Sequence, residues 1–378
     1  MFTRSPRELK LTIDEDGPGT ILHDFGAFLT FIKEREMSVT PMHQLRRRML
    51  PEINERLARP IQMGLKRPLQ KSYPHINGLY LLVRASGLTC VEGTASKPVL
   101  VVDDVVYRAW QGLNHTERYC TLLEAWLLRG HPEIIGERGY GWFRTPDTFK
   151  ELPGLFQRIP DAGLPVAGHE EVEDSIRYFP GLHNLALLEL FGLIVIHAGP
   201  PEPGKGWIIE RIERTPLGDA LVGVLQPTLQ PYFPEWQNNL YMPEWAFREG
   251  AHVFKVTLWE GLWWRIAIPA DRTLDELAST ILDSVEFYHD HLYTFEYQNR
   301  FGVTERINHS YMDEGPFTSD VLVGDTPLRI GQAMTFIYDF GDWWRFEVAL
   351  ERVDPDMALK KPVVLEAEGT PPDQYGWH

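Results

Sequence analysis

Two short stretches of the sequence carry residue types that could do chemistry. The first is FIYDFGDWWRFEVALE, residues 336–351, whose Asp339-Phe340-Gly341 triplet is the one a protein kinase uses to hold magnesium. In a kinase that triplet works only beside a glycine-rich phosphate loop, a strand lysine of the V-A-I-K type and an H-R-D-L-x-x-x-N loop, because metal and base must meet the same phosphates. None of these partners occurs, and GxxxxGK[ST] is absent too, so neither kinase nor P-loop ATPase chemistry is expected. The second stretch is His289-Asp290-His291, followed by Glu296 and His309. Alternate residues of a strand share a face, so His289 and His291 could share an ion, yet no third ligand is identifiable and no metal site is assigned. Asp339, Asp342 and His291 are the groups an acid–base reaction would use, which makes a metal-dependent enzyme the minority reading. With no GxSxG, HExxH or Cys–His pairing in the chain, no catalytic residue and no cofactor is assigned.

The elements around the triplet give it a plainer role. Phe336, Tyr338 and Phe340 alternate on one side of it and Trp344, Phe346, Val348 and Leu350 on the other, so Asp339–Asp342 is read as the bend of a β-hairpin. On this reading Gly341 supplies backbone freedom, the aspartates cap the turn, and Trp344 belongs to the core. Upstream, HVFKVTLWE and LWWRIAIPA read as paired strands, Thr273 to Glu276 as a capping box opening a helix to about Phe287, and HLYTFEYQ as a further strand. An α+β domain with one strong helix against a mainly antiparallel sheet follows.

Charge is distributed unevenly. The 378-residue chain has a net charge of −16, but residues 1–130 hold 18 Lys+Arg against 14 Asp+Glu, leaving 19 against 39 for the rest. Between Arg46 and Arg84 nine basic residues (Arg46, Arg47, Arg48, Arg56, Arg59, Lys66, Arg67, Lys71 and Arg84) face only Glu52 and Glu55. An acidic chain repels phosphate at long range, whereas a local basic run of this kind can neutralise it. The nine residues are therefore the expected contacts to duplex DNA. A solvated helix face with an interdomain contact to the acidic body is one alternative, and an adaptor whose basic stretch docks on acidic protein partners is another.

The order of elements in this front part suits such a use. AFLTFIKERE has helical spacing, and Thr40-Pro41 predicts a helix start into MHQLRRRML, with Pro51 interrupting before EINERLARP. INGLYLLVRASG is a helix ended by Gly87, LTCVEG and PVLVVDD form a hairpin, VVYRAWQGL returns to helix, and a further helix spans Thr116 to Arg129. Helix, helix, helix, hairpin is the order of a winged helix. Residues 181–224 repeat its second half as LHNLALLELFG, LIVIHA, WIIERIE and LGDALVGVL, without the basic charge. The segment ERGYGWFRTPDTFKELPG reads as a linker, and the proline- and aromatic-rich 226–245 as a second boundary.

The C-terminal third resembles a known family, the plasmid pRiA ORF-three-like proteins, which include the insertion-element passenger protein TnpR. FKVTL, WWRIAIPADRTLDELASTIL, HLYTFEY, YDFGDWWRFEVALE and EGTPPDQYG carry the resemblance in order, with Trp264, Arg265, His291, Asp339, Gly341, Asp342 and Trp344 as the motif residues. The family implies an α+β fold and no established reaction. Members often have cysteines in the last motif, where this chain has Thr370 and Tyr375, which removes a metal or redox role there. GLYLLVRASGL, the hairpin and LNHTERYCTLLEAWLLRG are similar to the winged-helix region of XPB-type helicases, though no motor sequence follows.

Together these readings predict a multi-domain α+β protein: a winged-helix-like module with a basic stretch over residues 1–130, a second such module with linkers over 131–245, and a pRiA ORF-three-like α+β domain over 246–378. Binding rather than catalysis is expected, with duplex DNA as a partner of the front module and a protein or small ligand as partner of the acidic C-terminal part. Cys90 and Cys120 lack CxxC spacing, which suits a reducing compartment. No h-region opens the chain, and its longest apolar run, Leu190 to Ala198, is far short of the ~20 residues a membrane helix needs. The expected location is the cytoplasm, with no membrane partner.

Overall fold

The computed structural model describes residues 11–94, 96–137, 148–228 and 246–375. It divides into two compact units, one of residues 1–90 and 99–242, the other of residues 91–98 and 243–378.

The first unit, taken together with the hairpin residues 91–98 that are grouped with the second, builds one pattern twice. Its first half runs α1 (Ile21–Lys33), β1 (Met37–Ser38), α2 (Leu50–Glu55), α3 (Pro74–Ala85), β2 (Thr89–Thr94) and β3 (Lys97–Val102), followed by α4 (Asp104–Gly112) and α5 (His115–Arg129). Its second half runs α6 (Thr148–Arg158), β4 (Leu164–Pro165), α7 (Glu170–Ile176), α8 (Leu182–Leu190), β5 (Ile194–Ala198) and β6 (Ile209–Arg214), followed by α9 (Pro216–Thr228). The two small sheets have matching orders, β1-β3-β2 and β4-β6-β5. The repeat therefore extends further back than residues 181–224, to a helix and a two-residue strand too short to announce themselves in sequence.

Local chemistry explains most of these boundaries. Asp103 accepts hydrogen bonds from Val105 and Val106 and caps α4, and Asn114 with Glu117 forms a reciprocal capping box at the start of α5. Gly87 and Gly192 take left-handed φ of 76° and 70°, as the ends of α3 and α8 require. One expected helix is absent. Residues Thr40 to Leu45 form a loop in which Thr40 Oγ1 accepts from the Gln44 amide, His43 has φ 53°, and the Leu45 amide donates to Gln70 Oε1 at 2.7 Å. The helix starts only after a 3₁₀ turn at Arg47–Met49, and Pro51 lies in its first turn instead of breaking it. Conversely, part of the expected linker, from Thr148, is helical in α6. Residues 138–147 and 229–245 of the two expected linkers lie outside the described residues.

The interior of this unit is a packing of α3 on α8. All twelve residues of α3 are buried, as is nearly all of α8. Gly78 makes the close approach possible, since a Cβ there would sit 2.8 Å from Leu187 Cγ and 3.1 Å from the His183 carbonyl. Three of the buried polar side chains here are answered: Trp126 Nε1 donates to Asn184 Oδ1 at 2.8 Å, Asn184 Nδ2 to the Pro180 carbonyl, and Tyr119 Oη to the Phe191 carbonyl at 2.6 Å.

The second unit contains β7 (Ala251–Trp259), β8 (Leu262–Pro269), α10 (Leu274–Ser284), β9 (Tyr293–Gln298), β10 (Thr304–Asn308), β11 (Ala333–Tyr338), β12 (Trp344–Asp354) and β13 (Val363–Glu368). These strands form a seven-stranded sheet in the order β10-β9-β11-β12-β7-β8-β13, antiparallel at every step. The protein is thus mixed α and β with an antiparallel sheet in its C-terminal region. Thr273 and Glu276 form the expected capping box of α10. Leu274, Leu277, Ala278, Ile281 and Leu282 of that helix cluster with Phe254, Trp264, Ile266, Phe295, Phe336, Phe346 and Val348 of the sheet. Each fully buried Phe or Leu of this kind contributes about 1.5–3 kcal/mol. Trp344 is half-buried at the margin of this core, its ring edge-on to Phe287 at 4.9 Å.

Candidate functional site

The Asp339–Asp342 segment joins β11 to β12, and Tyr338 pairs with Trp344 across it. The backbone freedom comes from different residues than expected. Asp339 and Trp343 occupy the left-handed region at φ 55° and 57°, and Gly341 does not. Asp339 tolerates that conformation because its Oδ1 accepts from the Gly341 amide at 2.8 Å, an Asx turn that replaces the missing glycine. Asp342 is exposed.

Burial of Asp339 leaves its other oxygen facing a polar group. Oδ2 lies 3.4 Å from His291 Nε2, and His291 Nε2 is 3.1 Å from Tyr375 Oη and 3.7 Å from Asp290 Oδ1. Tyr375 Oη donates to Asp290 Oδ2 at 2.8 Å, and Tyr338 Oη and Gln374 Nε2 approach Asp290 Oδ1 at 3.1 and 3.5 Å. Gln374 is itself buried and accepts from the Tyr288 amide at 2.6 Å. The phenol–carboxylate bond pushes the Tyr375 hydroxyl up to about 12 and holds the Asp290 carboxyl below its ordinary value. At neutral pH the phenol is a donor and Asp290 a charged acceptor.

Three parts of the sequence therefore meet: the turn before β9, the β11–β12 bend and the segment after β13. Of the family-motif residues, His291 and Asp339 belong to this cluster. Asp342 does not. Trp264 is buried in the core, and Arg265 is held by Glu351 at 2.6 Å and by Glu366. His289 and His291 lie in a turn, not in a strand, so they do not share a face; His289 pairs with Asp283 at 3.0 Å. His309 packs on the Tyr293 ring, and Glu296 takes Arg306. Among the described residues no group of three His, Cys, Asp or Glu side chains is arranged to hold a metal ion. The sequence marks Asp290 only as part of a histidine pair and Tyr375 only as standing where relatives have cysteine; it does not join the two or point to Gln374, since these partners are more than 80 positions apart along the chain.

The nine basic residues of the first unit fall into two sets. Arg56 is engaged by Glu34 at 2.9 Å and Glu52 at 3.4 Å and lies over the Phe31 ring. Arg59 approaches Glu189 at 3.5 Å, and Arg84 is buried within α3 at 2% exposure. The other six, Arg46, Arg47, Arg48, Lys66, Arg67 and Lys71, are exposed and form no ion pair with a carboxylate among the described residues. The bond from the Leu45 amide to Gln70 places the arginine triplet next to the segment that carries the two lysines and Arg67.

Comparison with known proteins gives a family match in the second unit. Residues 251–377 match the model of the plasmid pRiA4b ORF-3-like protein family, about a third of the chain. An uncharacterized protein of Sinorhizobium fredii, y4hQ, is 28% identical over 115 residues, which is 30% of this chain. The match spans 58% of that relative's length. The crystal structure of MM3350, a protein of unknown function from Methanosarcina mazei Go1, shares 22% identity over 34% of this chain and 74% of its own, at a TM-score of 0.31.

Proposed function

We propose that the first unit consists of two winged-helix-like modules and binds duplex DNA weakly and without sequence preference, through Arg46, Arg47, Arg48, Lys66, Arg67 and Lys71. The observation that carries this reading is the exposure of six cations that form no ion pair among the described residues, with Lys71 alone of them seen acting electrostatically on a carboxylate, that of Glu137. The twofold recurrence of helix, short strand, two helices and hairpin, with one sheet order in both halves, supports the winged-helix assignment. A winged helix that reads sequence offers a recognition helix to the major groove. Here the corresponding helix, α3, has no exposed face to offer. What remains is contact with phosphates, which is insensitive to sequence and steeply dependent on salt. Binding of random duplex DNA by the full chain across a salt series tests this. A log–log slope near zero, or no binding at low salt, contradicts it.

A second reading rests on the same burial of α3 and takes the unit as a protein adaptor whose basic segment docks on acidic partners. It predicts no DNA retention at any salt. Under either reading the second unit contacts a protein or small ligand, with the cluster around Asp290, His291, Asp339 and Tyr375 as its polar feature. The absence of CxxC spacing, with neither cysteine in a disulfide, fits a reducing cytoplasm. Among the described residues no helix is long and apolar enough to cross a membrane.

A further inference from the structure

The two edges of the seven-stranded sheet are finished differently. At one end β10 is guarded. Its Asn308 amide donates to the Pro316 carbonyl and its Asn308 carbonyl accepts from Thr318, so part of its outer edge is occupied. Glu305, bonded to Tyr297 and Asn299, and Arg306, bonded to Glu296, charge the remainder. Charges and cover of this kind are how sheets discourage unwanted pairing.

At the other end β13 is open. It pairs with β8 on its inner side, and among the described residues no backbone hydrogen bond reaches its outer side. Every one of its six residues is exposed, and Val363, Val364 and Leu365 stand in succession at 37%, 43% and 39%. A row of free amides and carbonyls beside three exposed apolar side chains is a template for another strand.

The flanking charges say which strand. The run reads Lys360-Lys361-Pro362-Val363-Val364-Leu365-Glu366-Ala367-Glu368, basic at one end and acidic at the other. Glu366 and Glu368 are held in place through one carboxylate oxygen each, by Arg265 and by the Trp263 indole nitrogen. Laid antiparallel against itself, the run brings the lysine end of one copy opposite the glutamate end of the other. Laid parallel, it sets like charge beside like. The antiparallel arrangement is also the one a two-fold axis generates.

We propose that β13 is a self-association edge, at which two copies of this chain pair antiparallel and join their sheets into one. The contact is small, so dissociation constants on the order of 1–100 µM are expected. Sedimentation velocity of the full chain over that range should show a monomer–dimer equilibrium that weakens with added salt. Val364→Lys places a charge in the apolar run, and Lys360→Glu with Lys361→Glu sets acid against acid. Each should raise the dissociation constant by at least about tenfold while circular dichroism stays unchanged, since the altered side chains are exposed. The lysine pair lies outside the strand, so it reports even if the valine variant perturbs β13. A wild-type chain that remains monomeric throughout, or either folded variant that dimerises as the wild type does, overturns the proposal.

Discussion

The two halves of the first unit share an interior and differ in charge at one matching place. Between the short first strand and the buried helix, the first half has Arg46, Arg47 and Arg48 leading into α2, whereas the second half has Glu170, Glu171, Glu173 and Asp174 in α7. Both halves keep the helix–strand order, the sheet order and a wholly or almost wholly buried third helix. The difference teaches that the frame is set by apolar pattern and glycine placement, and that any phosphate contact depends on surface charge laid over it. The second half is then an internal control for the first.

The largest expected effect breaks the shared interior. Trp126 is fully buried, stacks on Phe191 at 5.5 Å and bonds Asn184 of the other half. Trp126→Ala should cost about 3–5 kcal/mol by leaving a cavity and an unpaired amide. Urea unfolding measures it, and a loss near zero would mean that the halves do not depend on each other for stability.

A similar effect should follow pH. Burial pushes His183 of α8 down to about 4. Its folded-state value lies below the ordinary one, near 6.5, so the stability it gives is complete above ~6.5 and is lost as pH falls through ~4, up to roughly 3 kcal/mol. Thermal melts between these limits should show a shallower slope in His183→Gln than in the wild type. His252 of the second unit, pushed to about 4 mainly by its burial, should add a like slope of its own.

Smaller effects sharpen the contrast between buried and exposed groups of one type. Asp339→Ala removes the Asx turn at a left-handed residue and should cost about 1–2 kcal/mol, with Asn restoring most of it, while Asp342→Asn should cost under ~0.5 kcal/mol. Melting temperatures of the three variants check the ranking. Smallest of all, Arg59→Ala loses only an exposed contact to Glu189 and should change stability by ~0–0.5 kcal/mol in the same assay.

Much of this frame was legible in the sequence. Capping residues and terminal glycines lie within a few positions of the ends they set, so α3, α5, α8, α10 and the β11–β12 hairpin could be placed from local patterns. The short or exposed strands β1, β4, β10 and β13 could not, because none shows a run of alternating apolar residues. The helix expected at Met42–Leu50 failed for another reason: Gln70, 25 residues away, holds the Leu45 amide in a loop. Charge was the least legible feature. Arg56 and Arg59 meet carboxylates 22 and 130 positions away, and Arg84, expected to meet DNA, is buried in α3. The cluster at His291 is likewise assembled from three distant segments, which is why the meeting of Asp290 with Tyr375 is not legible in the sequence.

The most direct test of the account compares the salt dependence of duplex DNA binding in three forms of the full chain. Relative to wild type, Arg46→Ala/Arg47→Ala/Arg48→Ala should flatten the log–log slope by up to ~3 units, since each phosphate contact contributes about −0.9. Arg177→Ala/Lys205→Ala, which removes exposed cations of the second half, should leave the slope unchanged. Equal slopes in all three forms, or a loss confined to the second-half variant, would contradict the assignment of phosphate binding to the first half.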